Sequence, residues 1–144
     1  MAYGRRVYDL KGLLDAVRDS RQSARVPTRL VARALRDSAF EVIFLGLMVT
    51  AEQIVQSAVE EDVDLIGLSV FSGGHMTLVP RILHALRDGG VTAVPVVVGG
   101  IIPPGDALEL KRIGVSQVFG PGCSTSEIIS SLRRLVSKQE ELGV

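Results

Sequence analysis

The stretch Asp64-Leu-Ile-Gly-Leu-Ser69, followed at once by Val70-Phe-Ser-Gly-Gly74, decides the fold. Its first six residues form a short apolar run, as in a strand buried on both faces. Small residues follow, and a helical pattern then runs from about Thr77 to Asp88. Pro80 is tolerated in its first turn, and Gly89-Gly90 ends it. The same sequence of strand, loop and helix recurs on either side. Upstream, Glu41–Leu47 predicts a strand. Thr50-Ala-Glu-Gln53 has the spacing of a capping box, in which hydroxyl and amide satisfy orphan N–H groups reciprocally. It opens a helix to about Glu61, with Ile54, Val55, Ala58 and Val59 on one face. Downstream, Ala93–Val98 predicts a strand stopped by Gly99-Gly100, Pro104–Ile113 a short helix and Gln117–Phe119 a small strand. Ser124-Thr-Ser-Glu127 is a second capping box, starting a helix to about Gln139.

Strands rich in Val, Ile and Leu that alternate with helices predict an α/β protein, with a parallel sheet covered on both faces. Right-handed crossovers make it doubly wound. Such a domain begins with a strand, and two candidates exist, Arg6–Leu10 and Leu13–Val17, each containing an aspartate. Leu10–Arg18 reads equally well as a turn or two of amphipathic helix. Thr28–Asp37 is a fair helix, with Pro27 close to its start. The first strand is therefore either present and polar, or displaced. The expected organisation is one domain, with residues 1–26 as a divergent basic segment and 27–144 as the α/β body.

The chain has 144 residues, of which 47% are apolar and 4% aromatic, with no Trp. One aliphatic core follows, and intrinsic disorder is excluded. Cys123 is the single cysteine, which excludes a disulfide scaffold and a Cys-based zinc site. There is no uncharged apolar run long enough to span a membrane. Met1–Leu10 contains Arg5, Arg6 and Asp9 without the apolar centre of a secretory leader, so a soluble cytoplasmic protein is expected. Net charge is zero but unevenly placed. Residues 1–36 hold nine Lys and Arg against three Asp, and the remainder holds seven basic against thirteen acidic residues. Such asymmetry suits either an arm for an anionic partner or a solvated helix face.

Three loops share one property. Ser69–Gly74, Gly99-Gly100 and Phe119-Gly-Pro-Gly-Cys123 each follow a strand and consist mostly of small residues. In a parallel sheet all three lie at the carboxyl edge, where ligands of open α/β sheets bind. Glycine lets backbone approach a ligand closely. Three such loops suit a large flat ligand, whereas one alone would be a tight turn. Phosphate-loop, dinucleotide, zincin and nucleophile-elbow motifs are absent. Asp62 and Asp64 lie at the wrong end of their strand for a receiver-type phosphorylation site. His75 lines the crevice or serves as a hydrogen-bonding loop residue. His84 lies mid-helix and reads as structural, and Cys123 reads as a small turn residue despite its place near a helix N-terminus.

Residues 30–134 resemble the cobalamin-binding domain of the acyl-CoA carbon-skeleton mutases, both the isobutyryl-CoA mutase small subunit and the methylmalonyl-CoA mutase C-terminal domain. The resemblance rests on Ala32-Arg-Ala-Leu-Arg-Asp37, Thr50-Ala-Glu-Gln-Ile-Val55, Glu61–Ser69, Ser72-Gly-Gly-His-Met-Thr-Leu78, Gly99-Gly-Ile-Ile-Pro-Pro104 and Gly114-Val-Ser-Gln-Val-Phe-Gly-Pro-Gly122. It implies a flavodoxin-like five-stranded sheet of order 2-1-3-4-5. It also implies cobalamin, as adenosylcobalamin, with its nucleotide tail buried against the sheet. The implied cofactor residues are Ser69, Phe71, Ser72, Gly73, His75, Gly99, Gly100, Phe119, Gly120, Gly122 and Cys123. Phe71 stands where the family has Leu, and Cys123 where it has a hydroxyl. No residue is expected to be catalytic. The implied partner is a large barrel subunit that holds the acyl-CoA. A homo-oligomer stays open, and neither nucleic acid nor membrane is an expected partner.

The family's cobalt-ligating Asp-x-His-x-x-Gly motif aligns without a gap on Gln22-Ser-Ala-Arg-Val-Pro27, so Asp, His and Gly become Gln22, Ala24 and Pro27. A shift to Asp19 places Arg21 at the histidine position, and guanidinium has no lone pair for a metal. No protein metal ligand is expected. Three readings follow: cobalamin held through its tail without this histidine, a degenerate subunit that keeps the fold for partner contact, or a basic N-terminal segment recruited to another anionic partner.

Overall fold

The computed structural model describes residues 5–9, 28–45, 50–70 and 74–141. Five strands, β1 Arg5–Asp9, β2 Phe40–Phe44, β3 Leu65–Val70, β4 Val96–Gly100 and β5 Gln117–Phe119, form one parallel sheet of order β2-β1-β3-β4-β5. Five helices follow them in alternation: α1 Thr28–Asp37, α2 Ala51–Glu60, α3 His75–Asp88, α4 Pro104–Ile113 and α5 Thr125–Glu141. This is the doubly wound architecture expected from the alternation, with the flavodoxin-like strand order that the resemblance implied. The polar segment Arg5–Asp9 takes the place of the first strand, between β2 and β3. Leu13–Val17 lies outside the described residues.

The helices divide by face. Ile54 and Ala58 of α2, Val79, Ile82, Leu83 and Leu86 of α3, and Leu110 of α4 pack with Ile66, Leu68, Val70, Val96 and Val98. On the other face Leu35 of α1 and Ile128, Leu132 and Val136 of α5 pack with Phe40, Leu65, Val97 and Phe119. Successive strand residues point to opposite faces, so these clusters assign every β3 and β4 position to a layer. Leu65, Ile66 and Val98 are fully buried. Burial of such side chains stabilises by about 1.5–3 kcal/mol each relative to exposure.

Element boundaries shift where local chemistry says they should. β4 starts at Val96 instead of Ala93, because Pro95 has no N–H to give to a ladder. Its carbonyl accepts from Ile66 N–H at 3.0 Å and so opens the β3–β4 pairing. Both capping boxes form. Gln53 N–H donates to Thr50 Oγ1 at 3.2 Å while Thr50 N–H donates to Gln53 Oε1 at 2.8 Å. Ser124 N–H donates to Glu127 Oε2 at 2.7 Å, and Glu127 N–H to Ser124 Oγ at 3.2 Å. No helix among the described residues is long and apolar enough to cross a membrane.

Candidate functional site

The parallel register aligns three of the predicted cofactor residues. Ser69 pairs with Gly99, and Gly99 pairs with Phe119. By alternation from Leu65 and Val97, Ser69 and Gly99 face the α1/α5 layer, where Phe119 also packs. They form a row across three neighbouring strands, one residue from the carboxyl ends of β3 and β4 and at the end of β5. Nearer the amino ends, the same face is filled by Phe40, Leu65 and Val97. At the row itself Phe119 is packed, while the described residues leave room beside Gly99. A methyl group at Gly99 would find its nearest neighbour, the Phe119 carbonyl oxygen, only at 3.9 Å. Methyl groups at Gly120 and Gly122 would meet nothing within 4 Å. Among the described residues the carboxyl edge is open beside these glycines, with Phe119 as an aromatic wall.

Gly100 does something different. It turns to the opposite face, beside Val70, with φ +150°. A Cβ there would overlap the Val70 carbonyl oxygen. The two adjacent glycines therefore differ: Gly99 leaves room for a side chain among the described residues, and Gly100 permits close approach of two strands.

Cys123 is half-buried and packs against the α1/α5-side cluster, just before the α5 capping box. Its N–H donates to the Gly120 carbonyl at 3.3 Å, closing the turn that follows β5. Glu127, accepting from the Ser124 backbone N–H and linked to the Ser124 hydroxyl, has its pKa held below the ordinary carboxylate value. That fixed helix start anchors the rim of the open edge. Phe71, Ser72 and Gly73 lie outside the described residues, as do Gln22, Ala24 and Pro27.

His75 is placed where the sequence did not put it. α3 begins at His75, two residues ahead of the expected start, and the imidazole heads the helix's inward stripe with Val79, Ile82 and Leu86. It is 5% exposed. Nε2 lies 2.7 Å from Oδ2 of Asp106, in the first turn of α4, and Nδ1 is buried with no hydrogen-bond partner among the described residues. Nothing in the sequence singles out Asp106. It lies 31 positions away, and no local pattern signals the contact. His84 is exposed and sits 3.3 Å from Asp88, one turn along α3. Asp62 and Asp64 precede β3, at the amino edge. Among the described residues no three His, Cys, Asp or Glu gather as a metal site would require.

Comparison with known proteins places the chain in a family. The B12 binding domain family model matches residues 24–130. The chain belongs to the B12-binding domain family. Within that family it is 39% identical over 109 residues to the 2-hydroxyisobutanoyl-CoA mutase small subunit of Aquincola tertiaricarbonis, covering 76% of this chain and 80% of that one. It is 43% identical over 111 residues to the pivalyl-CoA mutase small subunit of Xanthobacter autotrophicus, covering 77% and 74%. Among solved structures, a cobalamin-binding protein from Desulfitobacterium hafniense shares the fold, with a TM-score of 0.69 at 19% identity over 92% of this chain and 58% of that one. The resemblance read from the sequence motifs is thereby established at the level of the family.

Proposed function

We propose that this B12-binding domain is the cobalamin-carrying small subunit of an acyl-CoA mutase, working in the cytoplasm with a separate large barrel subunit. The observation that carries the reading is the Ser69–Gly99–Phe119 row, which the described residues leave open beside Gly99 on the α1/α5 face. Ser69 and Gly99 would line the nucleotide tail, Phe119 would wall it, and Gly120, Gly122 and Cys123 would shape the rim. Adenosylcobalamin, when bound, supplies a homolysable cobalt–carbon bond that starts radical rearrangement of the carbon skeleton. This chain's part is placement: it excludes water from the tail and presents the upper face to the partner. The relatives named above are small subunits of acyl-CoA mutases, which supports the partner class. The acyl-CoA site is assigned to that partner, as the small-subunit names of these relatives suggest.

With Gln22, Ala24 and Pro27 at the aligned positions, the reading holds the cofactor through its tail, without a histidine from the first loop. The test is retention of hydroxocobalamin by the purified chain in a spin filter, followed by visible absorption. Retention at micromolar concentration supports the reading. Free passage at high micromolar concentration overturns it in favour of a subunit that keeps the fold for partner contact alone.

A further inference from the structure

Four large apolar side chains stand exposed among the described residues, and three of them gather at one corner of the fold. Met76 lies in the first turn of α3, Ile101 directly follows β4, and Leu108 lies in the second turn of α4. β3 and β4 run in parallel toward this end, so the three surround the carboxyl ends of both strands on the α3/α4 side. The fourth, Val59, stands in the last turn of α2, at the opposite end of the sheet.

A single exposed leucine is ordinary on a protein surface. Leu108 differs in its company. It is 71% exposed, two positions from fully buried Leu110, so it points away from the sheet and adds nothing to the core. Ile101 is 53% exposed, just ahead of the Pro103-Pro104 start of α4. Folding requires neither side chain. Around Leu108 most charges are already occupied. Arg112 holds Glu109 with two guanidinium nitrogens, and Arg87 donates to the Ile113 carbonyl at 2.7 Å. Exposed Lys111, one turn beyond Leu108, has no ion-pair partner among the described residues. The complementary surface is therefore an apolar hollow with a carboxylate at its rim. Size decides between occupants. Three side chains fall well short of the roughly 800 Å² that each partner buries in a stable complex, so they do not make a homodimer by themselves. They suit the anchor of a larger contact that continues over the carboxyl edge, where the proposed function already brings the large subunit.

We propose that Met76, Ile101 and Leu108 anchor the large subunit on the α3/α4 flank, with Lys111 at the rim, and leave the α1/α5 flank to the nucleotide tail. The proposal rests on the reading above and deepens it by naming the surface that holds the partner.

The probe is the acyl-CoA mutase large subunit of the same organism, titrated calorimetrically into this chain with hydroxocobalamin present. Leu108→Gln combined with Ile101→Gln is expected to weaken association by about tenfold or more, the scale on which loss of a central anchor acts. Val59→Gln, at a comparably exposed position, is expected to leave association unchanged. The thermal midpoint and hydroxocobalamin retention of the isolated double variant are expected to match those of the unmutated chain, because neither side chain serves the core or the tail groove. Amide exchange on the unmutated chain guards against a variant that misfolds. Residues 101–108 are expected to exchange more slowly once the large subunit is added, with α2 at its former rate. Undiminished association of the double variant, equal weakening by Val59→Gln, unslowed exchange at 101–108 in the complex, or loss of hydroxocobalamin by the folded double variant overturns the proposal and leaves the proposed function standing. An unmutated chain that retains hydroxocobalamin but associates with no large subunit overturns the partner half of that function, and this proposal with it.

Discussion

Ser69 and Gly99 stand opposite each other in the β3–β4 pair, and both turn to the α1/α5 layer. Because a methyl added at Gly99 would keep ordinary contact distances and the backbone there has no positive φ, its lack of a side chain is not needed for folding. Gly99→Ala is expected to leave stability near its original value, and Gly99→Val to fill the space that the tail requires. The valine variant should bind hydroxocobalamin at least about tenfold more weakly, in line with what one or two methyl groups do in a fitted pocket. Equal affinity for the two proteins would show that the ligand lies elsewhere.

Gly100, one residue on, should behave in the reverse way. An added Cβ overlaps the Val70 carbonyl and the backbone sits at φ +150°. Gly100→Ala should therefore destabilise the unloaded protein by about 2–4 kcal/mol, combining backbone strain with overpacking. Urea denaturation of the two alanine variants side by side checks the contrast. A Gly100→Ala protein as stable as Gly99→Ala would contradict it.

The difference between these neighbours marks the limit of what the sequence reveals. Both capping boxes, the helix Pro104–Ile113 and the strand Gln117–Phe119 were legible, since each rests on contacts within a few residues. The Gly99-Gly100 pair was legible as a loop feature, but which glycine serves the ligand depends on strand register. The strand Arg5–Asp9 overlaps Arg6–Leu10, one of two candidates, because its central place comes from pairing with β2 and β3, and not from its own hydrophobicity. The His75–Asp106 bond joins two helix starts and left no trace in local pattern.

The α5 capping box predicts a pH dependence. Glu127 has a lowered pKa in the folded chain because the Ser124 backbone N–H donates to its carboxylate, with the Ser124 hydroxyl adding to the effect. A group whose folded pKa is depressed contributes stability above its unfolded pKa and loses it as pH falls through the folded value. The contribution is thus whole at neutral pH and fades on the acid side of the ordinary carboxylate range. Glu127→Gln keeps an acceptor for Ser124 N–H, as Gln53 does for Thr50. It should therefore flatten the acid limb of a stability-versus-pH curve measured by urea midpoints. Superimposable acid limbs for the two proteins would refute the assignment.

Charge at the amino end needs a different experiment from truncation. Residues 5–9 form a strand hydrogen-bonded on both sides, so removing residues 1–9 should abolish cooperative thermal unfolding. A truncated chain with an intact, cooperative melt would show that β1 is dispensable. The steering role of the basic charge is better tested by Arg5→Gln with Arg6→Gln, which shortens no strand. If those charges guide an anionic partner, the double variant should associate more slowly at low salt and at the original rate at high salt.

The final prediction concerns Gln22 and Ala24, which occupy the aligned positions of the family's Asp and His. An imidazole coordinates cobalt through a neutral ring nitrogen, and a carboxylate on the other nitrogen orients it and raises its basicity. Ala24→His alone supplies the ligand without its orienting group, and Gln22→Asp alone supplies neither bond to the metal. The two together should add what each lacks, so their combined gain in hydroxocobalamin affinity should exceed the sum of the single gains in free energy. The double variant should also shift the visible spectrum of the bound corrinoid away from that held by the unmutated chain, because the ligand beneath cobalt has changed. Absence of both the affinity gain and the spectral shift would mean that the segment around Pro27 follows a path in which no residue at position 24 can reach the metal.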